Sequence, residues 1–343
     1  MIVTLLFLFF VVTFVAYYYQ MNKIPIALFI ALGIILIFVA TFRGPGVDCD
    51  YEAYVKYYNE VDVDATLEPT FFIISLIVRR FCFDNVVFLF FIYAVLGIYL
   101  KFRGIKELTD LGILSIMVYL SCYYVLHDLT QIRAGVASGL LLLCIKPLYE
   151  RKLGKFLLLS IIAVLFHYSA IVVLFLWFIK PKTLNRKFYL LLIPMGYCCC
   201  FCGIHMSNVL TMIPISAVQQ KVNAYLYLSE YSDSLPVNIF SVLFLLRCII
   251  AYFLLWKVDL IHISNKYVYV LLKIYLWGLV SYLFFSDVPG FSTRISELLG
   301  VVEFVLYPFM TYVLMPRKVG FLFPILLGII ILSVNLFYLH LIN

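Results

Sequence analysis

Charged side chains are scarce in this chain of 343 residues, at 13% against 65% hydrophobic. That shortage excludes a solvated globular surface, and no polar stretch exceeds a few dozen residues, which leaves no room for a soluble catalytic domain. The basic surplus, formally +7, is spread between apolar runs instead of gathered in a patch, so nucleic acid is not expected as a partner. Met1–Tyr19 has neither a basic leading segment nor an Ala-x-Ala cleavage site and reads as a retained helix. Nine cysteines are present, four of them in Cys198-Cys199-Cys200-Phe201-Cys202, but their spacing does not fit zinc and they fall in an apolar run, where cysteine packs as a small hydrophobe. A disulfide between Cys49 and Cys82 remains open. No internal repeat is found.

What the chain does have is a series of apolar runs near the roughly 20 residues that cross a bilayer, which predicts an all-α polytopic membrane protein. Ten spans are expected, at about 2–19, 24–42, 86–100, 111–126, 132–146, 188–203, 237–256, 267–285, 296–314 and 319–340. Sixteen of the 25 basic residues, among them Lys101, Lys146, Lys180, Lys257 and Arg317, lie in alternate connections and mark the cytoplasmic face by the positive-inside rule. Connections at 43–85, 127–131, 204–236 and 286–295 are then outer loops, within a single integral membrane domain.

Two segments resist this map. Pro69–Phe81 is apolar but short and ends in Arg79-Arg80, so it is expected to lie on the outer membrane surface as an amphipathic helix. Tyr51, Tyr54, Val55 and Tyr58 recur at helical spacing opposite Glu52, Lys56 and Asn59, predicting a second such helix just before it. Phe156–Ile179 is flanked by basic clusters on both sides. It is either a broken, re-entrant pair with His167 at its apex or one long span with a histidine inside it; the first form implies a cavity open from outside and floored near His167.

The stretch from Arg43 to Pro69 in the first outer loop holds seven of the eighteen acidic residues: Asp48, Asp50, Glu52, Glu60, Asp62, Asp64 and Glu68. Together with Arg43, His127, Asp128, Gln131, Arg133, His167, Ser169 and Arg294 it forms an outward-facing polar set in a protein where ionisable groups at membrane depth are costly. Arginine offers a planar, permanently charged fork suited to phosphate oxygens, and carboxylates can take a proton from a hydroxyl. Each residue also has a plainer reading. Arg43 and Arg133 can anchor at the interface, Asp48 and Asp50 can cap the helix that follows, Asp62 and Asp64 are solvated loop residues, and His127 is an ordinary loop histidine. Arg247 and Lys273, within spans, are expected to meet carbonyls or reach an interface.

Arg43-Gly44, Asp50-Tyr51-x-x-Tyr54, Glu68-Pro69, Gln131-Ile132-Arg133-x-Gly135-x-Ala137 and His167-x-Ser169-Ala170 occur in that order. In this the chain resembles the EpsG/Wzy group of exopolysaccharide and O-antigen polymerases over about residues 35–180, with Arg294 as a further match. The resemblance implies a GT-C-like membrane glycosyltransferase in a bacterial inner membrane, with its active site on the extracytoplasmic side. It would move a growing glycan from polyprenyl diphosphate onto another lipid-linked repeat unit. It implies Arg43, Arg133, Arg294 and Gln131 as diphosphate ligands, Asp50 as base with His167 second, Glu68 as the sugar-positioning carboxylate, and Asp48, Tyr54, His127 and Ser169 as acceptor-positioning groups. No cofactor is required, although Asp48 and Asp50 could ligate a divalent ion. Expected partners are the lipid-linked oligosaccharide, membrane lipid and a chain-length regulator protein. A single-sugar transferase using a polyprenyl phosphate donor, a lipid-linked oligosaccharide flippase and a surface-sugar acyltransferase are the alternatives.

Overall fold

A computed structural model describes residues 1–19, 25–60, 68–204, 219 and 237–342. The expected outer loop at 204–236, with Asp62, Asp64 and Lys23, lies almost wholly outside them. The described elements are helical, and six helices are long and apolar enough to cross a membrane: Ile2–Tyr19, Val86–Leu108, Gly112–Thr130, Ile132–Tyr149, Pro289–Tyr312 and Lys318–Phe337. Shorter apolar helices occupy Ile26–Thr41, Leu153–Phe166, Tyr168–Phe178 and Val268–Phe284.

The chain forms two compact units, Met1–Leu174 with Glu303–Asn343 and Phe175–Val302. The first contains α1 (Ile2–Tyr19), α2 (Ile26–Thr41), α3 (Tyr51–Asn59), α4 (Pro69–Phe81), α5 (Val86–Leu108), α6 (Gly112–Tyr119), a π-helix over Leu120–Thr130, α7 (Ile132–Tyr149), α8 (Leu153–Phe166) and the last helix, Arg317–Phe337. Its core is the α5–α7–α8 layer, closed around the almost wholly buried run from Ile113 to Thr130.

The loop from Arg43 to Asp50 is built by Asp48. One carboxylate oxygen accepts from Arg43 Nε at 2.8 Å, and the other accepts the Asp50 amide at 3.0 Å ahead of α3. Gly46 takes the left-handed conformation, φ 72°, that this tight turn needs. In α3, Tyr51, Tyr54 and Tyr58 face inward while Glu52, Lys56 and Asn59 are exposed, as the helical spacing requires. Helix α4 buries Phe71, Ser75 and Val78 and exposes Phe72, Ile73, Leu76 and Ile77, the one-sided pattern of a helix lying against lipid. Arg79 is held by the Tyr58 carbonyl, and Tyr58 donates to Asp84 at 2.7 Å, so α3 and α4 are tied to each other.

Two features differ from the sequence-based expectation, and a third takes the broken one of the two forms expected for Phe156–Ile179. The segment expected as an outer loop at 127–131 is the closing turn of the π-helix, and α7 begins at Ile132 directly after it. Lys101, counted as a cytoplasmic marker, is fully buried, and its helix runs on to Leu108. Its ammonium finds Asp128 inside the bundle, so the cost of a buried lysine is offset without reaching water. The segment around His167 is broken: α8 ends at His167, whose extended backbone (φ −155°, ψ 117°) starts a 3-10 turn over Tyr168–Ile171. At 14 and 11 residues, neither flanking piece reaches span length.

In the second unit, Lys273 donates to the carbonyls of Lys180, at 2.6 Å, and Thr183, the satisfaction by carbonyls expected for a lysine inside a span. Cys200 packs with its thiol on the Leu283 carbonyl at 3.0 Å, and all described cysteines, Cys49 and Cys82 included, are free.

Candidate functional site

Three helix ends meet in the first unit. Glu68 is the N-cap of α4, with Pro69 at the first helical position, where proline's fixed φ suits a helix start and a carboxylate suits the positive end of the helix dipole. Arg133 stands at the second position of α7, after Gln131. His167 closes α8. The Thr70 hydroxyl donates to the Leu165 carbonyl at 2.8 Å and fastens the start of α4 to the end of α8.

Glu68 is the hub of the cluster. Its Oε2 takes the Arg133 guanidinium in an ion pair, and its Oε1 lies 3.2 Å from His167 Nδ1. The Arg133 guanidinium is surrounded by the rings of Tyr54, Tyr57 and Phe71 at 5.5, 5.6 and 5.7 Å, a cage of cation–π contacts, and it also bonds the Tyr54 hydroxyl. Tyr93 extends this wall, its ring 6.1 Å from Phe71 and 6.1 Å from Phe166. Side-chain exposures of 20% for Arg133, 12% for His167 and 7% for Glu68 leave the cluster sheltered but reachable.

Electrostatics agree with this geometry. Burial acts to raise the Glu68 carboxyl, but the His167 hydrogen bond and the Arg133 charge outweigh it and hold the group below the usual carboxylate range. Glu68 is therefore an anion at neutral pH. Burial pushes the Tyr54 phenol up, with Arg133 and Arg43 pulling against it and Asp50 adding to it, which places both arginines and Asp50 within electrostatic reach of one hydroxyl. Burial also raises Asp48 despite Arg43 beside it.

The other expected site residues fall into distinct places. Arg43 is buried; its Nε is spent on Asp48, its Nη1 on the Ala40 carbonyl at 2.7 Å, and its plane lies 4.1 Å over the Phe90 ring, while Nη2 is left without a hydrogen-bond partner. Asp48 accepts the amide of Asp50, the N-cap residue of α3, whose own side chain makes no cap hydrogen bond. Asp50 is half-buried at the N-terminus of α3. His127 is 1% exposed in the π-helix, its ring 5.0 Å from Tyr123 and its Nδ1 without a hydrogen-bond partner. Gln131 joins the π-helix to α7, its amide on the Leu126 carbonyl at 2.8 Å. Ser169 is half-buried in the turn after His167. Arg294 is exposed on Pro289–Gly300 and belongs to the second unit.

Sequence reasoning passed over Tyr57, Phe71 and Tyr93, the cage around Arg133, and Lys101 with Tyr119, the partners of Asp128. The Tyr54-x-x-Tyr57 spacing and the position of Phe71 just after Glu68-Pro69 were the available signals. Among the described residues, no group of three or more His, Cys, Asp or Glu side chains is placed to hold a metal ion.

No curated protein and no solved structure matches this chain. The family model described as EpsG family matches residues 26–343, which takes in every helix of the site described above, and the chain belongs to the EpsG family.

Proposed function

We propose that this membrane protein is a polysaccharide polymerase of GT-C type, the activity that EpsG family membership suggests, and that it joins lipid-linked repeat units at the Glu68–Arg133–His167 cluster. The observation carrying the reading is that three separate helix ends deliver a guanidinium, a carboxylate and an imidazole to one sheltered, aromatic-walled place.

In the reaction, an acceptor sugar hydroxyl oxygen attacks the anomeric carbon of the donor glycan. The bond from that carbon to the polyprenyl diphosphate breaks, and the electron pair leaves on the diphosphate. Arg133, fixed by its rings, meets the charge developing on the departing oxygen, and pre-placed charge of this sort needs no reorganisation as the reaction proceeds. His167 takes the proton. Its Nδ1 is held by Glu68, which fixes the ring and leaves Nε2 to accept the proton, the arrangement of a base oriented by a carboxylate. This geometry favours His167 over Asp50 as the base and makes Glu68 its orienting group. Arg43 serves the site by building the loop ahead of α3, with Nη2 as its one nitrogen without a hydrogen-bond partner. The donor and acceptor are polyprenyl-diphosphate-linked oligosaccharides, and the site faces the extracytoplasmic side of a bacterial inner membrane.

The test is complementation of a deletion strain with wild type, Arg133→Ala and His167→Gln, scored by glycan ladder length. Single capped units without polymer are expected from both variants at wild-type protein level; full-length ladders from both would overturn the proposal.

A further inference from the structure

A second polar cluster, deeper in the first unit, is not used by the chemistry above. Lys101 of α5 donates to Asp128 Oδ1 at 2.9 Å and to the Gly135 carbonyl at 2.8 Å, and the Tyr119 hydroxyl donates to Asp128 Oδ2 at 2.6 Å. Lys101 and Asp128 are both buried, with side-chain exposures of 0% and 1%. Charges so deep are costly, and a buried ion pair is often no more stabilising than apolar residues of the same size. Stability alone is thus a weak reason for this pair.

Its connections point to a different role. Asp128 follows His127, and Gly135 lies two residues beyond Arg133, so one ammonium ties α5 to the last turn of the π-helix and to the first turn of α7. The glycines around it make room for that approach: a Cβ on Gly135 would lie 2.8 Å from the His127 carbonyl oxygen, and one on Gly97 would strike Asp128 Oδ1. The wide turns of a π-helix are rare and cluster at functional sites. Here they are braced along their length, by Asn335 Nδ2 on the Ser121 carbonyl at 2.8 Å, the Tyr124 hydroxyl on the Leu36 carbonyl at 2.7 Å, and Thr130 on the Val125 carbonyl at 3.0 Å. Of these braces, the Lys101 network is the one that also bonds α7, at the Gly135 carbonyl.

We infer that Lys101, Asp128 and Tyr119 are positioning residues that set the separation between the π-helix end and the start of α7, and through it the placement of Arg133 against Glu68. This rests on the reading of the Arg133 cluster as the transfer site. The network touches no substrate; it works by fixing where α7 begins. Misplacing a catalytic group by about 1 Å can cost about 10²-fold in rate.

The experiment uses the full-length protein in detergent. In Lys101→Met/Asp128→Asn both charges go together while size and the Tyr119 contact are kept. Expected are a kcat about 10²-fold lower, a KM within about threefold of wild type, and amide exchange at 127–135 faster by about tenfold while α8 exchanges as before. An unchanged kcat, or unchanged exchange at 127–135, overturns the inference. Should that variant not fold, Tyr119→Phe decides, with a kcat loss of about five- to tenfold expected in a protein that still melts cooperatively and a wild-type kcat contradicting it. If wild type itself transfers no glycan, the proposed function fails, and the exchange measurement then decides by itself whether the network holds 127–135 in place.

Discussion

Changing Glu68 to Gln keeps the shape of the side chain and removes its charge, so it isolates what one carboxylate does for two partners. Glu68 receives the Arg133 guanidinium on Oε2 and His167 Nδ1 on Oε1. Glutamine has one acceptor oxygen, and its amide turns two hydrogens toward whichever donor it faces. One of the two contacts becomes donor against donor. A hydrogen bond to a charged group contributes about 1.5–3 kcal/mol, and leaving a sheltered cation unmatched adds to the loss, so the folded state should weaken by about 2–4 kcal/mol. With an unfolding entropy of about 2.1 cal/mol/K per residue, that is a fall of roughly 3–6 °C in Tm. Transfer should fall further, by about 10²- to 10⁴-fold, because His167 loses the group that orients it as a base. Melting in detergent and initial rates of ladder formation read the two effects separately. A variant that melts and polymerises like wild type would refute the reasoning.

Four further outcomes are expected. Arg133→Lys keeps the charge but not the planar fork, and should retain a small part of the activity while Arg133→Ala loses about 10²- to 10³-fold, measured as kcat in the same assay. Gly135→Ala drives a methyl toward the His127 carbonyl and should cost about 1–3 kcal/mol with a parallel loss of transfer, read by melting and rate together. Because the Glu68 carboxyl is held below its ordinary value of about 4.3, its contribution is complete above that pH and is lost as pH falls through the lower folded value. The Tm difference between wild type and Glu68→Gln should accordingly be constant from pH 7 to 5 and close at lower pH. Gly46→Ala, at φ 72°, should cost about 1–2 kcal/mol in thermal stability and leave KM unchanged.

The sequence made the framework of the site readable where local rules govern it. Tyr51, Tyr54 and Tyr58 show their buried face through helical spacing alone, Glu68-Pro69 marks a helix start, and basic clusters on both sides of Phe156–Ile179 signal the break that falls at His167. What stayed hidden depends on pairing across the fold. Lys101 at the end of an apolar run looks like an interfacial charge until Asp128, 27 residues later, is placed beside it. The π-helix leaves no trace in periodicity, so Leu120–Thr130 read as a span followed by a loop. Tyr57 falls outside the buried stripe of α3 and Phe71 lies within that of α4, and both acquire their role only because α3, α4 and α7 converge on Arg133.

The central claim is tested most directly by reconstituting the purified protein in liposomes with a single polyprenyl-diphosphate-linked repeat unit and no nucleotide sugar. Wild type should produce a ladder of lengthening glycans and release polyprenyl diphosphate in proportion to the bonds made, and Arg133→Ala, inserted to the same level, should do neither. A wild type that leaves the unit unchanged, or an Arg133→Ala protein that matches wild type, would contradict the account.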